Sequence, residues 1–225
     1  AEEVPGKYEV VKTLGRGTFG SVLMVRCAAD SKLYAMKTTQ FNVGGADTAT
    51  ARAAAHEVLM LTTFVHPNIV AFRECFVARA GRVLCIVTAL CESGTLKQVL
   101  ARARSNGSRV KEVMATGWFV QVALALHHLH SRKALHRDLK PANIFLSQNR
   151  RLLKLGDLGL STVLESTTAL AMTEVGTPQF CAPEILRNRP YSHPADMWAL
   201  GCVMWEVLTG APPFSGRTLV ELGQA

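Results

Sequence analysis

Several features that would place the sequence in a specialised class of protein are missing. The six cysteines form no C-x-x-C pair and show no metal-ligand spacing, which favours free thiols in a reducing compartment. No apolar run reaches the roughly 20 residues that cross a bilayer, and the first residues, AEEVP, do not form a signal peptide. Neither an internal repeat nor a low-complexity tract is present. We therefore expect a protein of the cytoplasm or nucleus that has no membrane partner.

Charge and composition exclude further classes. With 25 Lys and Arg residues against 17 Asp and Glu, the formal net charge is +8, but the basic residues are dispersed along the chain. A nucleic-acid-binding protein would combine a basic stripe with a known module, and neither is found. We therefore expect a mild preference for anionic ligands and no nucleic-acid partner. A chain of 225 residues with 48% hydrophobic residues is long enough for one large domain or two lobes.

The densest group of chemically active residues is the stretch HRDLKPAN at 136–143. It follows an amphipathic stretch at 113–129 and precedes an apolar run at 144–146. Pro141 excludes a continuous helix, so the stretch is predicted to be a loop between a helix and a strand. Such a loop can place Asp138 to accept a proton, Lys140 to neutralise a phosphate and Asn143 to bind a metal ion. The stretch therefore indicates a phosphoryl-transfer site.

A glycine-rich turn, GRGTFG at 15–20, lies between two predicted strands at 8–14 and 21–28. In a dinucleotide-binding oxidoreductase the same G-x-G-x-x-G pattern would open a helix. A strand follows the turn here, which favours a β-hairpin whose backbone amides approach phosphate oxygens. An NAD-binding enzyme stays as an alternative that an NAD-binding assay would test.

A lysine and a glutamate after the glycine turn complete a candidate phosphate site. Lys37 lies at the centre of a predicted strand, 32–40, where a lysine usually extends to solvent. After a glycine hairpin it is better interpreted as a residue that grips nucleotide phosphates. Glu57 lies on a predicted helix, 48–63, either as an exposed charge or as a salt-bridge partner that fixes Lys37. Because an inward-facing carboxylate is costly unless paired, we favour the salt bridge, with Leu61 on the same inner face.

The remaining pattern predicts strands at 70–77, 82–88 and 152–155, helices at 95–104, 113–130 and 196–209, and a short helix from Ala182. Residues 161–177 are polar and are expected to form a loop. Three histidines at the end of the long helix, His127, His128 and His130, raise the alternative of a metal site. No cysteine or H-E-x-x-H pattern accompanies them, so we favour surface or packed histidines.

Five features occur in a fixed order: the glycine turn, Lys37, Glu57, Asp138 with Asn143, and Asp157. Together they resemble the catalytic domain of eukaryotic protein kinases from Tyr8 onward. The stretches HPNIV at 66–70, KLGDLGL at 154–160 and VGTPQFCAPE at 175–184 are most similar to the NIMA-related (Nek) serine/threonine group. The resemblance implies an α+β, two-lobed fold. A small lobe with a five-stranded antiparallel sheet and one main helix (1–88) precedes a hinge (89–94) and an incomplete, mainly helical lobe (95–225).

The resemblance also implies the chemistry and the cofactors, ATP and Mg²⁺. Lys37, held by Glu57, would contact the α- and β-phosphates of ATP, while Asn143 and Asp157 would hold Mg²⁺. Asp138 would take the proton of the acceptor hydroxyl, and Lys140 would stabilise the transferring phosphoryl group. The other residues implied to contact ATP are Leu14, Gly15, Gly17, Gly20, Val22, Ala35, Thr88, Ala89, Cys91 and Phe145, of which Ala89 and Cys91 would offer backbone hydrogen bonds.

The acceptor and the regulation follow from the same resemblance. A lysine two residues after the catalytic aspartate is typical of serine/threonine kinases, and Thr177 can hydrogen-bond both Asp138 and Lys140. We therefore expect Ser or Thr hydroxyls of a protein substrate as acceptors. Thr173 is the candidate for an activating phosphosite, modified by another kinase or by autophosphorylation, with Arg137 as partner of the phosphate. Ser161, Thr162, Ser166, Thr167 and Thr168 compete for this role.

The sequence departs from the kinase pattern at Leu158, where most kinases have phenylalanine. Leu158 would stack with Leu61, Phe72 and His136 in an apolar column that links the lobes. Because leucine has less area than phenylalanine and no ring, the column would be easier to break, and an inactive default state is expected. A pseudokinase or scaffold that binds nucleotide without turnover is the alternative function, which a phosphorylation assay would separate.

The kinase pattern normally continues through several more helices after the helix at 196–209. We therefore expect the chain to be a fragment of a longer kinase that is unstable, self-associating or weakly active alone. Six large apolar residues lie on all faces of that helix, so some should lack a covering layer: Trp198, Leu200, Val203, Met204, Trp205 and Leu208. Glu184 would also lose an arginine partner, which is destabilising if the carboxylate is buried.

Overall fold

The structure, a computed structural model, describes residues 6–17, 20–40, 48–78, 83–158, 162–163, 178–187 and 192–214. Its contacts divide the chain into two units. The first comprises the residues up to Val65 together with Val70–Cys91, and the second comprises His66–Ile69 together with the residues from Glu92 onward. Each unit has its own sheet or helices and its own buried residues.

The first unit is built on a five-stranded antiparallel sheet with the strand order β1-β2-β3-β5-β4. The strands are β1 (Tyr8–Gly17), β2 (Gly20–Cys27), β3 (Leu33–Gln40), β4 (Phe72–Ala78) and β5 (Val83–Ala89), and helix α1 (Thr48–Thr63) follows β3. The predicted five strands and main helix are confirmed. Strand β1 extends beyond the predicted end at residue 14, because Gly15 and Gly17 pair with Val22 and Gly20 across the hairpin.

One face of this sheet forms the core of the first unit. Leu23 lies opposite Met36, and Met36 lies opposite Val87, so these three side chains project to the same side. All three are fully buried, and Tyr8 completes the layer by stacking on Phe76 with 6.0 Å between the ring centroids. Because side chains alternate along a strand, the residues next to Met36 point to the opposite face.

The second unit is mainly helical. Its helices are α2 (Leu96–Ser105), α3 (Glu112–His130), α4 (Pro183–Leu186) and α5 (His193–Thr209). A capping box begins α2: Gln98 N donates to Thr95 Oγ1, and Thr95 N donates to Gln98 Oε1. Helix α5 begins three residues earlier than predicted, because a proline is tolerated in the first turn, where its missing N–H has no intrahelical partner.

Two small antiparallel strand pairs accompany the helices. One is the hairpin of β7 (Ile144–Ser147) and β8 (Leu152–Leu155), and the other joins β6 (Ala134–Leu135) to β9 (Thr162–Val163). The sequence analysis placed residues 162–163 in a loop, and that was wrong because two-residue strands carry no periodic pattern. It also assigned residues 66–69 to the first lobe, whereas this turn hydrogen-bonds to β8: Leu155 N donates to Asn68 O at 2.8 Å.

Helix α5 is not buried all round. Leu200 and Val203 are fully buried, whereas Trp198, Trp205 and Leu208 are exposed. The ring of Trp198 stacks on Phe214 with 5.6 Å between centroids. Glu184, at the start of α4, is only half-buried, so the condition for a large unpaired-charge penalty is not met.

The structure bears on the state of the cysteines and on the length of the apolar helices. All six cysteines are free, and Cys27, Cys85 and Cys202 are buried, whereas Cys75 is exposed. Burial raises the pKa of the Cys202 thiol to about 11, so this residue is an unreactive packing group. Within the described ranges, no helix combines the length and the apolar character needed to cross a membrane.

Candidate active site

The first unit contains an ion pair between its sheet and its helix. The Lys37 ammonium on β3 lies 2.9 and 2.6 Å from the two carboxylate oxygens of Glu57 on α1. The salt bridge favoured by the sequence is therefore present. Only 11% of the Glu57 side chain is exposed, and the pairing offsets the cost of burying its charge. The Lys37 side chain stays 40% exposed.

Four of the predicted ATP-binding residues share the sheet face that carries Lys37. Val22 lies opposite Lys37 in the β2–β3 pairing, and Ala35 lies opposite Thr88 in the β3–β5 pairing. All four side chains are half-buried, while Leu23 and Met36 beside them are fully buried on the core face. The register of the sheet thus brings Val22, Ala35, Lys37 and Thr88 to one surface.

The strand ends carry the residues predicted for the glycine turn and the hinge, whose contacts with ATP stay predictions. Leu14 and Gly15 are exposed on β1, but Gly20 is needed for packing: a Cβ there would overlap the Thr38 carbonyl oxygen on β3. The N–H of Ala89 donates to Ala71 O at 2.9 Å, so this amide is not open to an adenine ring. Cys91, two residues further along, is half-buried.

The second unit gathers two polar residues of the HRDLKPAN stretch, Lys140 and Asn143, around the carboxylate of a third, Asp138. Asp138 Oδ2 accepts from Lys140 Nζ and from Asn143 Nδ2, each at 2.8 Å. Asn143 Nδ2 also donates to the Asp138 carbonyl at 2.8 Å. This is possible because residues Pro141–Asn143 form a 3-10 turn that bends the chain back, as expected after Pro141. Among the described residues, both side-chain contacts of Asp138 fall on Oδ2, which leaves Oδ1 to accept a proton.

Asp157 lies two residues after the end of β8. Its carboxylate is exposed, and its backbone is left-handed, with φ 56°, a strained conformation for a residue other than glycine. Gly156 N donates to Asn143 O at 3.0 Å and so joins the two segments. A carboxylate from Asp157 and an amide oxygen from Asn143 are the hard oxygen ligands that Mg²⁺ takes. The donor set therefore fits this cation.

His136 supports the loop through hydrogen bonds at both of its ring nitrogens. Its Nδ1 accepts the N–H of Asp138 at 3.2 Å, which places the ring proton on Nε2. That nitrogen lies 3.2 Å from Gly156 O and donates to it. The fully buried imidazole thus connects the backbone at Asp138 to the backbone at Gly156, next to Asp157.

Asp196, on the first turn of α5, is a functional residue that sequence reasoning missed. Its carboxylate accepts the backbone N–H groups of His136 at 2.9 Å and Arg137 at 3.0 Å, and His130 Nε2 lies 2.8 Å away. These contacts hold Arg137 in a left-handed conformation, with φ 68°. The available sequence signal was a single acidic residue at the start of a long apolar helix, because a carboxylate that is buried there needs hydrogen-bond partners.

The environment of Asp196 changes its titration. Burial by itself would raise the pKa of this carboxyl group, since desolvation disfavours the charged form. The hydrogen bond from His130 and the two backbone amides outweigh burial, and the net pKa lies below its usual range. The carboxylate is therefore ionised at neutral pH and acts as an acceptor for the loop backbone.

The family is decided by comparison with known proteins. Residues 8–223 match the model of the protein kinase domain. The chain belongs to the protein kinase family. It is 42% identical to human serine/threonine-protein kinase Nek5, 40% identical to mouse Nek1 and 35% identical to the fission yeast (Schizosaccharomyces pombe) G2-specific protein kinase fin1. Each alignment covers 96% of this chain, but only 30%, 17% and 32% of those proteins. The chain spans about a third or less of the length of these relatives.

Two further groups of residues were predicted from the kinase resemblance: the apolar column, and Thr177 with the candidate phosphosites. Leu158 and His136 are fully buried in the second unit, Leu61 is buried in the first, and Phe72 is half-buried there. The column predicted to join them stays a prediction. Thr173, Thr177 and the competing sites Ser161, Ser166, Thr167 and Thr168 lie outside the described residues.

Two of the three helix histidines contact other parts of the kinase domain, whereas His127 is exposed. His128 packs on His66, with 5.0 Å between the rings, and His130 packs on His193 at 4.5 Å in addition to bonding Asp196. Burial lowers the pKa of both His66 and His128, with Arg132 adding to the effect. In the described part of the chain, no three His, Cys, Asp or Glu side chains are grouped to hold a metal.

Proposed function

We propose that the chain is the catalytic domain of a NIMA-related protein kinase that transfers the γ-phosphate of ATP to Ser or Thr hydroxyls of protein substrates. The observation that carries this proposal is the cluster of Lys140 and Asn143 on Oδ2 of Asp138. A nucleotide-binding scaffold without turnover would not need a carboxylate that two side chains hold by one oxygen while the other is left to accept a proton. The similarity to proteins named serine/threonine-protein kinase Nek5 and Nek1 supports the acceptor type.

Each polar residue has one role in this proposal. Lys37, fixed by Glu57, neutralises the α- and β-phosphates of ATP. Asn143 and Asp157 hold Mg²⁺, which supplies positive charge to the phosphate oxygens. Asp138 Oδ1 accepts the proton of the acceptor hydroxyl, and Lys140 neutralises charge on the transferring group. The protein contributes positioning and electrostatic stabilisation more than covalent chemistry.

The domain division and the regulation are part of the same proposal. Residues 1–88, apart from the turn at 66–69 that bonds to β8, form the lobe that grips the nucleotide, residues 89–94 form the hinge, and residues 95–225 belong to the catalytic lobe. Val22, Ala35 and Phe145 contact the adenine, and Thr88 lies at the back of the pocket. The protein acts in the cytoplasm or nucleus, where ATP is available.

The catalytic assignment is tested by comparing Asp138→Asn with Asp157→Ala. Asp138→Asn should lower the phosphorylation of a generic protein substrate by about 10²–10⁴-fold, the usual range for a catalytic base, while ATP affinity is unchanged. Asp157→Ala should weaken the binding of Mg-ATP. Equal losses of nucleotide affinity in both variants would contradict the separate roles. A peptide array with matched Ser, Thr and Tyr acceptors tests the acceptor type.

The regulatory site is tested by mass spectrometry of active protein. A phosphate at Thr173 would carry about −1.5 to −2 charges and would order its segment through Arg137. We expect phosphate at Thr173 and a loss of activity in Thr173→Ala, with Thr168→Ala as the matched control. Full activity in Thr173→Ala would rule this site out.

A further inference from the structure

A small cavity lies in the second unit between the C-terminal ends of α2 and α5. Its volume is about 200 Å³. The lining includes the apolar side chains of Leu100, Ala103, Val110 and Val207 and the side chains of Arg104 and Arg109. None of these residues belongs to the candidate active site, so the cavity requires its own explanation.

Hydrogen bonds fix the walls of this cavity. The N–H and the hydroxyl of Ser108 both donate to Ala103 O, at 2.9 and 3.2 Å, and fold the loop after α2 back onto the helix. Arg104 ties α2 to α5 by donating to Gly210 O at 2.8 Å and to Glu206 at 3.1 Å. Because the walls are already ordered, a ligand would bind without a large ordering cost.

The segment that supplies most of the cavity lining is basic. Between residues 97 and 111 the chain has five basic residues and no acidic one: Lys97, Arg102, Arg104, Arg109 and Lys111. All five are exposed. Arg102 and Arg104 are explained by the partial negative charge at the end of α2, and Glu206 neutralises Arg104. Arg109 and Lys111 follow the helix, and Arg109 has no hydrogen-bond or ion-pair partner among the described residues.

The size and lining of the cavity define what it can take. Binding sites for small molecules usually measure about 300–1,000 Å³, so this cavity is too small for a typical cofactor. It has room for about six or seven water molecules, the space of a single large side chain. Leu100 and Val207 are buried and apolar, so the inserted group should be apolar, while Arg109 favours a carboxylate beside it.

We propose that this cavity is a docking site for an acidic peptide segment that inserts one large apolar side chain between α2 and α5. That the peptide segment belongs to a protein substrate rests on the proposed kinase function. Docking at a surface apart from Asp138 would raise the local concentration of the acceptor hydroxyl without contributing to its chemistry. Charge complementarity with Arg109 and Lys111 selects acidic segments over neutral ones.

The test measures peptide binding by fluorescence anisotropy to the full chain carrying Asp138→Asn. The probe is a fluorescein-labelled peptide of Asp and Glu residues around one phenylalanine, without Ser, Thr or Tyr. Arg109→Glu should weaken binding at least about tenfold, and Ala103→Leu, which fills the cavity, should do the same. Arg151→Glu changes the same charge at an exposed position outside the cavity and should leave binding unchanged.

Changes in the probe separate the two parts of the recognition. Replacing its phenylalanine with alanine, or its carboxylates with amides, should each lower affinity by about tenfold. Binding should also weaken as salt is added, because the charged contacts are exposed. Ala103→Leu should unfold at the same temperature as the wild-type protein, which would show that its effect on binding is local.

Three results would overturn the docking site. They are no binding of the acidic probe, binding unaffected by both cavity variants, or displacement of the probe by decanoate, a fatty acid anion, which would show that the cavity takes a small molecule instead of a peptide. The readout is independent of catalysis, so a protein without kinase activity would still bind the probe. An active kinase that fails to bind it would contradict only the docking site. In the active protein, fusing the acidic segment to a substrate peptide should lower KM but not kcat, and Arg109→Glu should remove the difference.

Discussion

The two units position their charged residues by different means. In the first unit, Lys37 and Glu57 meet through their side chains alone, and the lysine is partly exposed to solvent. In the second unit, the backbone that carries Asp138 is bonded to Asp196, whose side chain is fully buried. We infer that the first arrangement orients a charge with little effect on stability. The second arrangement makes the shape of the catalytic loop inseparable from the fold.

The largest expected effect is the loss of the buried anchor. Asp196→Ala would leave two backbone N–H groups and His130 without their acceptor, and should lower the free energy of unfolding by about 3–5 kcal/mol. Phosphoryl transfer should fall with it, because Arg137 and Asp138 lose their backbone support. Urea denaturation followed by circular dichroism gives the stability. Asp196→Asn, which keeps one acceptor oxygen, should be intermediate, and two variants of wild-type stability would contradict the anchor.

The anchor should also make stability depend on pH at the acid end. The folded-state pKa of Asp196 lies below its ordinary value, so its contribution is fully present above the unfolded pKa of about 3.9. That contribution is lost as the pH falls through the folded-state pKa. Wild-type protein should therefore lose stability below about pH 4 more steeply than Asp196→Asn. Parallel profiles of unfolding free energy against pH would show that other carboxyl groups dominate.

The Lys37–Glu57 pair of the first unit should affect activity strongly and stability little. Glu57→Gln should change the free energy of unfolding by less than about 1 kcal/mol, because the lysine is partly exposed and glutamine keeps a hydrogen-bond acceptor. Phosphoryl transfer should nevertheless fall by about a hundredfold, because a displacement of about 1 Å at Lys37 misplaces the phosphates. Activity assays and denaturation on the same preparation decide this. A loss of stability as large as that of Asp196→Ala would remove the contrast between the units.

The smallest expected effect concerns backbone strain in the second unit. Gln148, Asn149 and Arg150 all have left-handed backbones between β7 and β8, with φ 49°, 54° and 69°. The Arg150 carbonyl accepts Trp118 Nε1 at 2.8 Å, which ties this turn to α3. Arg150→Gly keeps that bond and relieves the left-handed strain, so the protein should gain about 0.5–1 kcal/mol.

The matched control for this change is the next residue. Arg151 is exposed but is not among the residues with a left-handed backbone, so Arg151→Gly should destabilise by up to about 1 kcal/mol through the added freedom of the unfolded chain. Thermal unfolding of the two variants gives the comparison. Equal shifts in Tm would show that the turn is not strained.

The sequence predicted features whose contacting residues are close together in the chain and missed those whose partners are distant. Helix α1 began and ended where its alanine-rich composition predicted, and Lys140 and Asn143 met Asp138 because all three lie in one short turn. The pairing of β6 with β9 escaped prediction because its partners are two residues long and distant in the chain. The misplacement of residues 66–69 has the same origin, since their partners are on β8.

By itself, the amino-acid sequence indicated the kinase family, the residues proposed to transfer a proton, pair with phosphate or bind Mg²⁺, and most of the strands and helices. Those properties depend on residue type and on neighbours within a few positions. Tertiary structure alone decided that Val22, Ala35 and Thr88 share a face with Lys37, because that depends on strand register. It likewise decided that Asp196 holds the catalytic loop from 59 and 60 residues away. A buried carboxylate requires partners, but only the folded chain selects them.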